Sequence, residues 1–294
     1  MNAETMPIVV GVDDSPSSRS ALYWAVDEAT LRGRPLHVVY AWRSMYPTSP
    51  GFPSRVDLAA ASRAYGQERL ASLLARVQAS DPQTSVTGHL LEGRPSAVLL
   101  DTVSAVGAQL LVVGARGVGG FDGLLLGSVG LHVVSYAPCP VVVVRVAPRP
   151  TGSIVVGIDG SSESKAVLAA AVDEAAARKR QLDVVRVLYV HSAAEGVPDQ
   201  RLALASATSE AEIAMDSLLA DAVSQHPDIE VRTDLVAGYP AEVLINASAT
   251  ASLLVIGSHG GGGFMDMGMG SVAHAVVHHA HCPVMVIREG TVRR

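Results

Sequence analysis

Residues 110–117 of the chain read Leu-Leu-Val-Val-Gly-Ala-Arg-Gly, and after nine further residues comes the pair Gly127-Ser128. The pattern returns at residues 253–260 as Leu-Leu-Val-Ile-Gly-Ser-His-Gly, again with nine residues before Gly270-Ser271. Each apolar run predicts a buried strand, and the segment after each Gly-Ser pair predicts a helix. Glycines let backbone N–H groups crowd around an anion, and a helix N-terminus adds partial positive charge. The stretch therefore predicts two phosphate-binding loops.

The rest of the chain is duplicated in the same way. Residues 9–15 match residues 155–161 at a spacing of 146, and two Cys-Pro-Val segments, at 139–141 and 282–284, recur at a spacing of 143. A chain of 294 residues has room for two domains of about 150 residues each. We expect a first domain at residues 1–147, a proline-rich linker at 148–152 and a second domain at 153–294.

Within each half, apolar runs of strand length alternate with helical patterns. In the first half they predict strands at about 8–13, 36–42, 85–91, 110–114 and 141–146. One helix is predicted to end near residue 32, and three others are predicted at about 57–79, 95–106 and 128–137. Long loops are predicted at 43–55 and near 191–200. Continuous apolar strands separated by helices indicate a parallel sheet covered on both faces. Right-handed crossovers then give an α/β fold with a doubly wound sheet in each half.

Composition narrows the functional classes. The net charge is −6, which argues against general affinity for nucleic acid or for an anionic membrane. No apolar run reaches the roughly 18 residues that span a bilayer, and no export signal is recognisable, so we expect a cytoplasmic protein without membrane partners. Cys139 and Cys282 are predicted to be buried thiols, with a disulfide between the halves or a redox role as the alternatives.

The complete pattern resembles a known family. The spacing Gly-x2-Gly-x9-Gly-Ser, with Gly-x-Asp-x-Ser on the first strand of each half and Cys-Pro-Val before the last, resembles the ATP-binding members of the universal stress protein family. The repetition resembles the tandem-domain members common in actinobacteria, and the resemblance covers nearly the whole chain. It implies two tandem five-stranded parallel sheets of strand order 3-2-1-4-5, Rossmann-like and related in fold to the adenine nucleotide alpha hydrolases.

The resemblance also implies pairing of the two domains through strand five. The valine run 141–144 would be prone to aggregation as a bare edge, which supports the same expectation. We therefore expect an intramolecular pseudo-dimer formed by the strand-five edges, and a homodimer of the whole chain.

The expected ligand is ATP, one molecule per domain, with Mg²⁺ or Mn²⁺ bridging its phosphates. With strand order 3-2-1-4-5, the crevice for a ligand lies at the carboxyl ends of strands one and four. Asp13 and Asp159 would contact the ribose or base there, and the family pattern puts adenine contacts near Ala41 and Val190. The predicted ATP-binding residues are Gly11, Asp13, Ala41, Gly114, Arg116, Gly117, Gly127, Ser128, Val129, Gly157, Asp159, Val190, Gly257, His259, Gly260, Gly270, Ser271 and Val272. The alternatives are that each Asp only caps the next helix and that the glycines form turns without a ligand.

The chain lacks the parts of an efficient ATPase. A P-loop needs a lysine beside its glycines, and the two lysines of this chain, Lys165 and Lys179, are far from both loops in sequence. No other catalytic motif is recognisable, so the sequence predicts no catalytic residues and favours a stress-response regulator or sensor that holds adenine nucleotide. Slow ATP hydrolysis, an enzyme of the adenine alpha hydrolase kind and a ligand-independent interaction scaffold are the competing functions.

A histidine-rich segment follows the second loop. It contains His274, His278, His279 and His281, followed by Cys282, and the first two share a helical face. Because the matching residues of the first half are not metal ligands, polar decoration of the helix is favoured over a metal site.

Overall fold

The computed structural model describes residues 6–43, 55–117, 126–146, 149, 151–188, 198–260 and 268–291, with the backbone alone at 55–57 and 198–207. The chain divides into two compact units between Arg145 and Val146. Within the described residues of each unit, strands and helices alternate as the sequence predicts.

In the first unit the elements begin with β1 at Ile8–Val12. The remaining bounds are α1 Pro16–Arg32, β2 Leu36–Trp42, α2 Arg55–Ser80, β3 Val86–Glu92, α3 Pro95–Val106, β4 Leu110–Gly114, α4 Ser128–Tyr136 and β5 Val141–Val144. The five strands are parallel and lie in the order β3-β2-β1-β4-β5.

The second unit repeats this arrangement from β6 at Ile154–Ile158. Its other elements are α5 Ser164–Arg178, β7 Leu182–Leu188, α6 Pro198–Val223, β8 Val231–Ala237, α7 Pro240–Ala247, β9 Leu253–Gly257, α8 Ser271–His279 and β10 Val284–Ile287. The parallel order is β8-β7-β6-β9-β10. The predicted α/β doubly wound fold with strand order 3-2-1-4-5 is confirmed.

Helix α1 shows why the elements begin and end where they do. Ser15 is its N-cap and accepts a hydrogen bond from the Ser18 N–H at 3.1 Å, and Pro16 supplies a favourable φ at the first turn. Gly33 closes the helix in the left-handed region at φ 60°, which glycine adopts without steric cost. The equivalent helix α5 ends instead at Lys179, at φ 51°.

The central strands carry the cores. Every residue of β4 except its terminal Gly114 is buried, and so is every residue of β5. The same holds for β9 and β10, where only Gly257 is partly exposed. Strands β1 and β6 are buried as well, apart from Gly11 and Gly157, and lie beside β4 and β9. The strands that flank the point where each strand order reverses are therefore packed into the core.

The structure shifts two predicted boundaries and leaves one predicted loop largely undescribed. Strand β1 ends at Val12, so Asp13 is the first residue beyond the strand. The predicted loop near 191–200 is too long at its end, because Pro198 starts helix α6, as proline does readily at a first helical turn. The predicted loop at 43–55 falls almost wholly outside the described residues.

Candidate functional site

The candidate sites lie at the carboxyl ends of the central strands. In the first unit Asp13 follows β1 and Gly114 ends β4, and these two strands are neighbours in the sheet. In the second unit Asp159 follows β6 and Gly257 ends β9, again as neighbours. Each site is therefore at the point where the strand order reverses, which is where open α/β sheets bind ligands.

The strand-end aspartates touch the glycine loops. A Cβ placed on Gly117 would lie 2.7 Å from Asp13 Oδ2, and one placed on Gly260 would lie 2.6 Å from Asp159 Oδ2. A real Cβ is essentially never found so close to another heavy atom, so glycine is what allows the loop to pass over each carboxylate.

The other oxygen of each aspartate shapes the turn that follows the strand. Oδ1 of Asp13 accepts the Ser15 N–H at 2.9 Å, and Oδ1 of Asp159 accepts the Ser161 N–H at 2.9 Å. These are Asx turns. The cap of α1 itself is Ser15, so the aspartate organises the turn before the helix and also meets the loop.

The Gly-Ser pairs hold a helix N-terminus against each loop. Gly127 donates its N–H to the Ala115 carbonyl at 2.7 Å and is the N-cap residue of α4. Gly270 donates to the Ser258 carbonyl at 2.8 Å and is the N-cap residue of α8. The first N–H groups of a helix have no intrahelical acceptor, so each loop lies beside a set of donors suited to an anion. In the first unit these donors include Ser128 and Val129; in the second they include Ser271 and Val272.

Serines anchor the first loop. Ser15 Oγ donates to the Arg116 carbonyl at 2.9 Å, Ser17 Oγ contacts the same carbonyl, and the Arg116 N–H donates to Ser17 Oγ at 3.1 Å. A Cβ on Gly114 would lie 2.7 Å from the Ser17 carbonyl carbon and the Ser18 nitrogen. Because backbone atoms cannot turn aside, only glycine fits at the end of β4.

A carboxylate anchors the second loop. Glu163 occupies the position that Ser17 has in the first unit, and it is 8% exposed. Its Oε2 accepts the His259 N–H at 3.1 Å, and its Oε1 accepts Ser258 Oγ and the Glu289 N–H, each at 3.2 Å. Ser258 Oγ also lies 2.9 Å from His259 Nδ1.

The second unit contains a cavity of about 920 Å³ over this loop. Ligand pockets usually measure about 300–1,000 Å³. All the predicted residues of the second site that the structure describes line the cavity: Gly157, Asp159, Gly257, His259, Gly260, Gly270, Ser271 and Val272. The prediction missed other lining residues, among them Ser161, Glu163, Ser164, Val185, Val187, Tyr239, Leu244 and Ser258.

Of the two residues predicted to contact adenine, the structure describes Ala41, near the end of β2. Val190 lies outside the described residues. Strand pairing matches Ile158 with Arg186 and Val12 with Tyr40, so Val187 is the structural equivalent of Ala41. The repeat spacing of 146 applied to Ala41 would have found Val187, which lines the cavity.

Gly11 and Gly157 also serve packing. A Cβ on Gly11 would lie 2.9 Å from Leu99 of α3, and one on Gly157 would lie 2.8 Å from Leu244 of α7. Close approach of a helix to the strand therefore accounts for both glycines, and Gly157 lines the cavity as well.

Two arginines concentrate positive charge at the first site. Arg145 follows β5, and Ala115 of the loop donates its N–H to the Val144 carbonyl at 3.0 Å, which brings the two segments together. Burial lowers the pKa of Arg145, and the charge of nearby Arg116 lowers it further. An anion bound between the two guanidinium groups would relieve this repulsion.

The histidine-rich segment and the cysteines have an ordinary structural setting. His274 and His278 stack at 4.3 Å between ring centroids, and within the described ranges no three His, Cys, Asp or Glu side chains are grouped to hold a metal ion. Cys139 and Cys282 are buried free thiols, as the sequence predicts. Among the helices that the structure describes, none is long and apolar enough to cross a bilayer.

The comparisons with known proteins agree with this fold. The sequence model of the Universal stress protein family matches residues 4–145 and again residues 151–288. A universal stress protein of Mycobacterium tuberculosis H37Rv is 34% identical over 290 residues, covering 96% of this chain and 97% of that protein. A second from the same strain is 32% identical over 291 residues, covering 97% of each.

The fold has a close solved counterpart. The crystal structure of a universal stress protein from Archaeoglobus fulgidus superposes with a TM-score of 0.69 at 18% identity, covering 99% of both chains. The family match, repeated over both halves, and the full-length relatives give the same assignment. The chain is therefore a member of the universal stress protein family, with two family domains in tandem.

Proposed function

We propose that this protein is an ATP-binding stress-response regulator that holds one adenine nucleotide in each domain and turns ATP over little or not at all. The proposal is supported chiefly by one repeated observation, the contact between a strand-end aspartate and a loop glycine beside a helix N-terminus. It occurs with Asp13 and Gly117 in the first unit and with Asp159 and Gly260 in the second.

The residues fit a nucleotide chemically. A carboxylate at the strand end can accept hydrogen bonds from ribose hydroxyls, and the loop and helix N–H groups can bind phosphate oxygens. In the second unit the apolar side chains of Val185, Val187 and Leu244 line the same cavity of about 920 Å³ and would face a base. Arg116 would add a permanent charge at the first site, and His259 a charge only when protonated.

A divalent cation would take its ligands mainly from the nucleotide. No described cluster of three or more His, Cys, Asp or Glu side chains could hold a metal ion by itself. Mg²⁺ or Mn²⁺ would therefore be bound mainly through phosphate oxygens and water. When bound, the ion would neutralise phosphate charge.

Little ATP hydrolysis is expected because the groups that the structure describes at the loops can bind phosphate but do not include a catalytic residue. Lys165 lies on α5 and its Nζ is 3.8 Å from Asp221 on α6, where it is mostly exposed. The loop donors are backbone N–H groups and the serine hydroxyls of the Gly-Ser pairs, which bind phosphate without activating a water. The family itself is not in general enzymatic.

Calorimetric titration with ATP and a steady-state assay of phosphate release test the proposal together. Wild-type protein should bind ATP at two sites and release phosphate at less than about one turnover per minute, far below common enzyme rates. Asp13→Asn and Asp159→Asn should each weaken one site, whereas Asp101→Asn, on the exposed side of α3, should change neither. Binding that is identical in all four proteins would contradict the proposal.

The two alternatives have distinct outcomes in the same assays. Slow ATP hydrolysis would appear as phosphate release that Asp13→Asn or Asp159→Asn abolishes. A ligand-independent scaffold would show no heat of ATP binding. Pairing through β5 and β10, a homodimer of the whole chain and a cytoplasmic location remain proposals drawn from the family resemblance, and sedimentation velocity would measure the oligomeric state.

A further inference from the structure

The two sites differ in charge at one position that contacts the phosphate loop from the start of a neighbouring helix. Ser17 contacts the first loop through a neutral hydroxyl, and Glu163 contacts the second loop through a carboxylate. Both side chains accept the same backbone N–H, that of Arg116 in one unit and His259 in the other. Both residues therefore anchor a loop, and they differ in charge.

Glu163 is fixed in place by hydrogen bonds to both of its carboxylate oxygens. Each of its carboxylate oxygens accepts a backbone N–H, from His259 at 3.1 Å and from Glu289 at 3.2 Å, and Oε1 accepts the Ser258 hydroxyl as well. The carboxylate therefore faces hydrogen-bond donors on both of its oxygens. The side chain is buried and lines the cavity, so water screens its charge poorly.

The carboxylate also lies close to where phosphate would bind. A Cβ on Gly257 would be 2.7 Å from Glu163 Oε2, and His259 and Gly260 follow directly in the chain. Like charges close together in a poorly solvated site repel strongly, and each further phosphate charge adds to the repulsion.

The neighbouring cations increase the contrast. At the first site the loop arginine, Arg116, is near Arg145. At the second site His259 replaces Arg116, and Arg288 follows β10 as Arg145 follows β5. At these loop-contacting positions, one permanent positive charge is lost and one negative charge is gained from the first site to the second. At the ends of strands one and two the exchanges run the other way, because Gly160 replaces Asp14 and Arg186 replaces Tyr40.

We propose that Glu163 sets ligand selectivity by charge, so that the second site prefers adenine ligands carrying few phosphate charges, a nucleoside or a monophosphate, whereas the first site prefers the triphosphate. This inference rests on the proposed function, since it assumes that both sites bind adenine compounds. It makes the two domains unequal: the first responds to ATP, and the second responds to its less phosphorylated products.

The test compares ATP with adenosine at one site at a time. Gly270→Glu puts a carboxylate at the N-cap of α8 and blocks the second site, and Gly127→Glu does the same for the first. In the full-length Gly127→Glu background, Glu163→Gln should raise the affinity for ATP about tenfold and change that for adenosine by less than about twofold. A tenfold change corresponds to about 1.4 kcal/mol.

The reciprocal change keeps the proposal testable if Glu163→Gln disturbs the loop. Glu163→Ser installs the residue of the first site, and Ser17→Glu, in the Gly270→Glu background, installs the residue of the second. Ser17→Glu should lower ATP affinity about tenfold and leave adenosine affinity within about twofold. A merely structural effect would change the affinities for ATP and adenosine alike, whereas a charge effect changes that for ATP alone.

Three outcomes distinguish charge selectivity by Glu163 from its alternatives. Changes in the ATP-to-adenosine affinity ratio in opposite directions for the two exchanges support the inference. Equal changes for ATP and adenosine, or none, overturn it while the proposed function stands. If the second site binds neither compound in any variant, the proposed function fails for that domain, and the inference fails with it.

Discussion

Replacement of Gly260 by alanine should damage the second site by a definable amount. The added Cβ would lie 2.6 Å from Asp159 Oδ2, and among the described residues no other part of the chain comes within 3.5 Å of it. Ordinary contact begins at 3.4 Å, so relief needs a retreat of roughly 0.8 Å by the carboxylate. Oδ1 of Asp159 accepts the Ser161 N–H at 2.9 Å and lies 3.1 Å from Ser164 Oγ, so a turn of the side chain strains both contacts.

The magnitude follows from these contacts. Overpacking of this kind costs about 1–3 kcal/mol in free energy of unfolding, and each weakened hydrogen bond accounts for about 1 kcal/mol of it. The displaced carboxylate can no longer meet a ribose, so ATP affinity at this site should fall about tenfold, or 1.4 kcal/mol. Urea denaturation and calorimetry of Gly260→Ala measure the two quantities.

A double-mutant cycle isolates the cause. If the only obstacle is the carboxylate, Gly260→Ala should cost less than about 0.5 kcal/mol of stability in an Asp159→Ala background, because the contact has been removed. A cost that is the same in both backgrounds would refute the steric argument. ATP affinity unchanged in Gly260→Ala alone would refute the assignment of this loop to the ligand.

Other predictions concern stability and titration. Lys179→Gly should raise the free energy of unfolding by about 1 kcal/mol, since Lys179 ends α5 at φ 51°, and Gly33→Ala, at φ 60°, should lower it by a similar amount in urea denaturation. Burial raises the pKa of the Cys282 thiol to about 12, so iodoacetamide at pH 9 should label it at least about 100-fold more slowly in the native protein than in urea; equal rates would contradict its burial. The pKa of His37 is lowered by burial and then by the charge of His89. The unfolded chain therefore takes up this proton first, and the stability that His37 contributes is present above about pH 6.5 and is lost as the pH falls through its folded pKa. In His37→Gln the urea midpoint should fall less between pH 7.5 and 5.5 than in wild type, and an unchanged fall would show that His37 does not carry the effect.

The fold could be predicted where local signals and burial agree. Helix α3 has the predicted bounds, Pro95–Val106, because proline favours its first turn and Gly107 ends it in the left-handed region at φ 62°. Strand β4 has its predicted bounds as well, Leu110–Gly114, because it is a continuous apolar run that ends in a glycine.

The parts of the site that the sequence missed depend on contacts distant in the chain. Glu163 sits at the start of a helix, where an acidic residue has an ordinary role, and only the fold brings its carboxylate to His259 and Ser258. Val187, which lines the cavity, was not predicted, because the position of β7 at the cavity is set by the pairing of β7 with β6. A comparison of the two halves residue by residue does contain both signals, since a spacing of 146 pairs Ser17 with Glu163 and Ala41 with Val187.

The most direct test of the central claim is the nucleotide content of the protein itself. Full-length protein purified without added nucleotide is denatured, and the released small molecules are identified and quantified by mass spectrometry against the protein concentration. We predict adenine nucleotide at a substantial fraction of one molecule per chain or more, reduced in a variant that carries both Asp13→Asn and Asp159→Asn and retained in Asp101→Asn. Wild-type protein that releases no adenine compound, and that binds none when ATP is then added, would contradict the account.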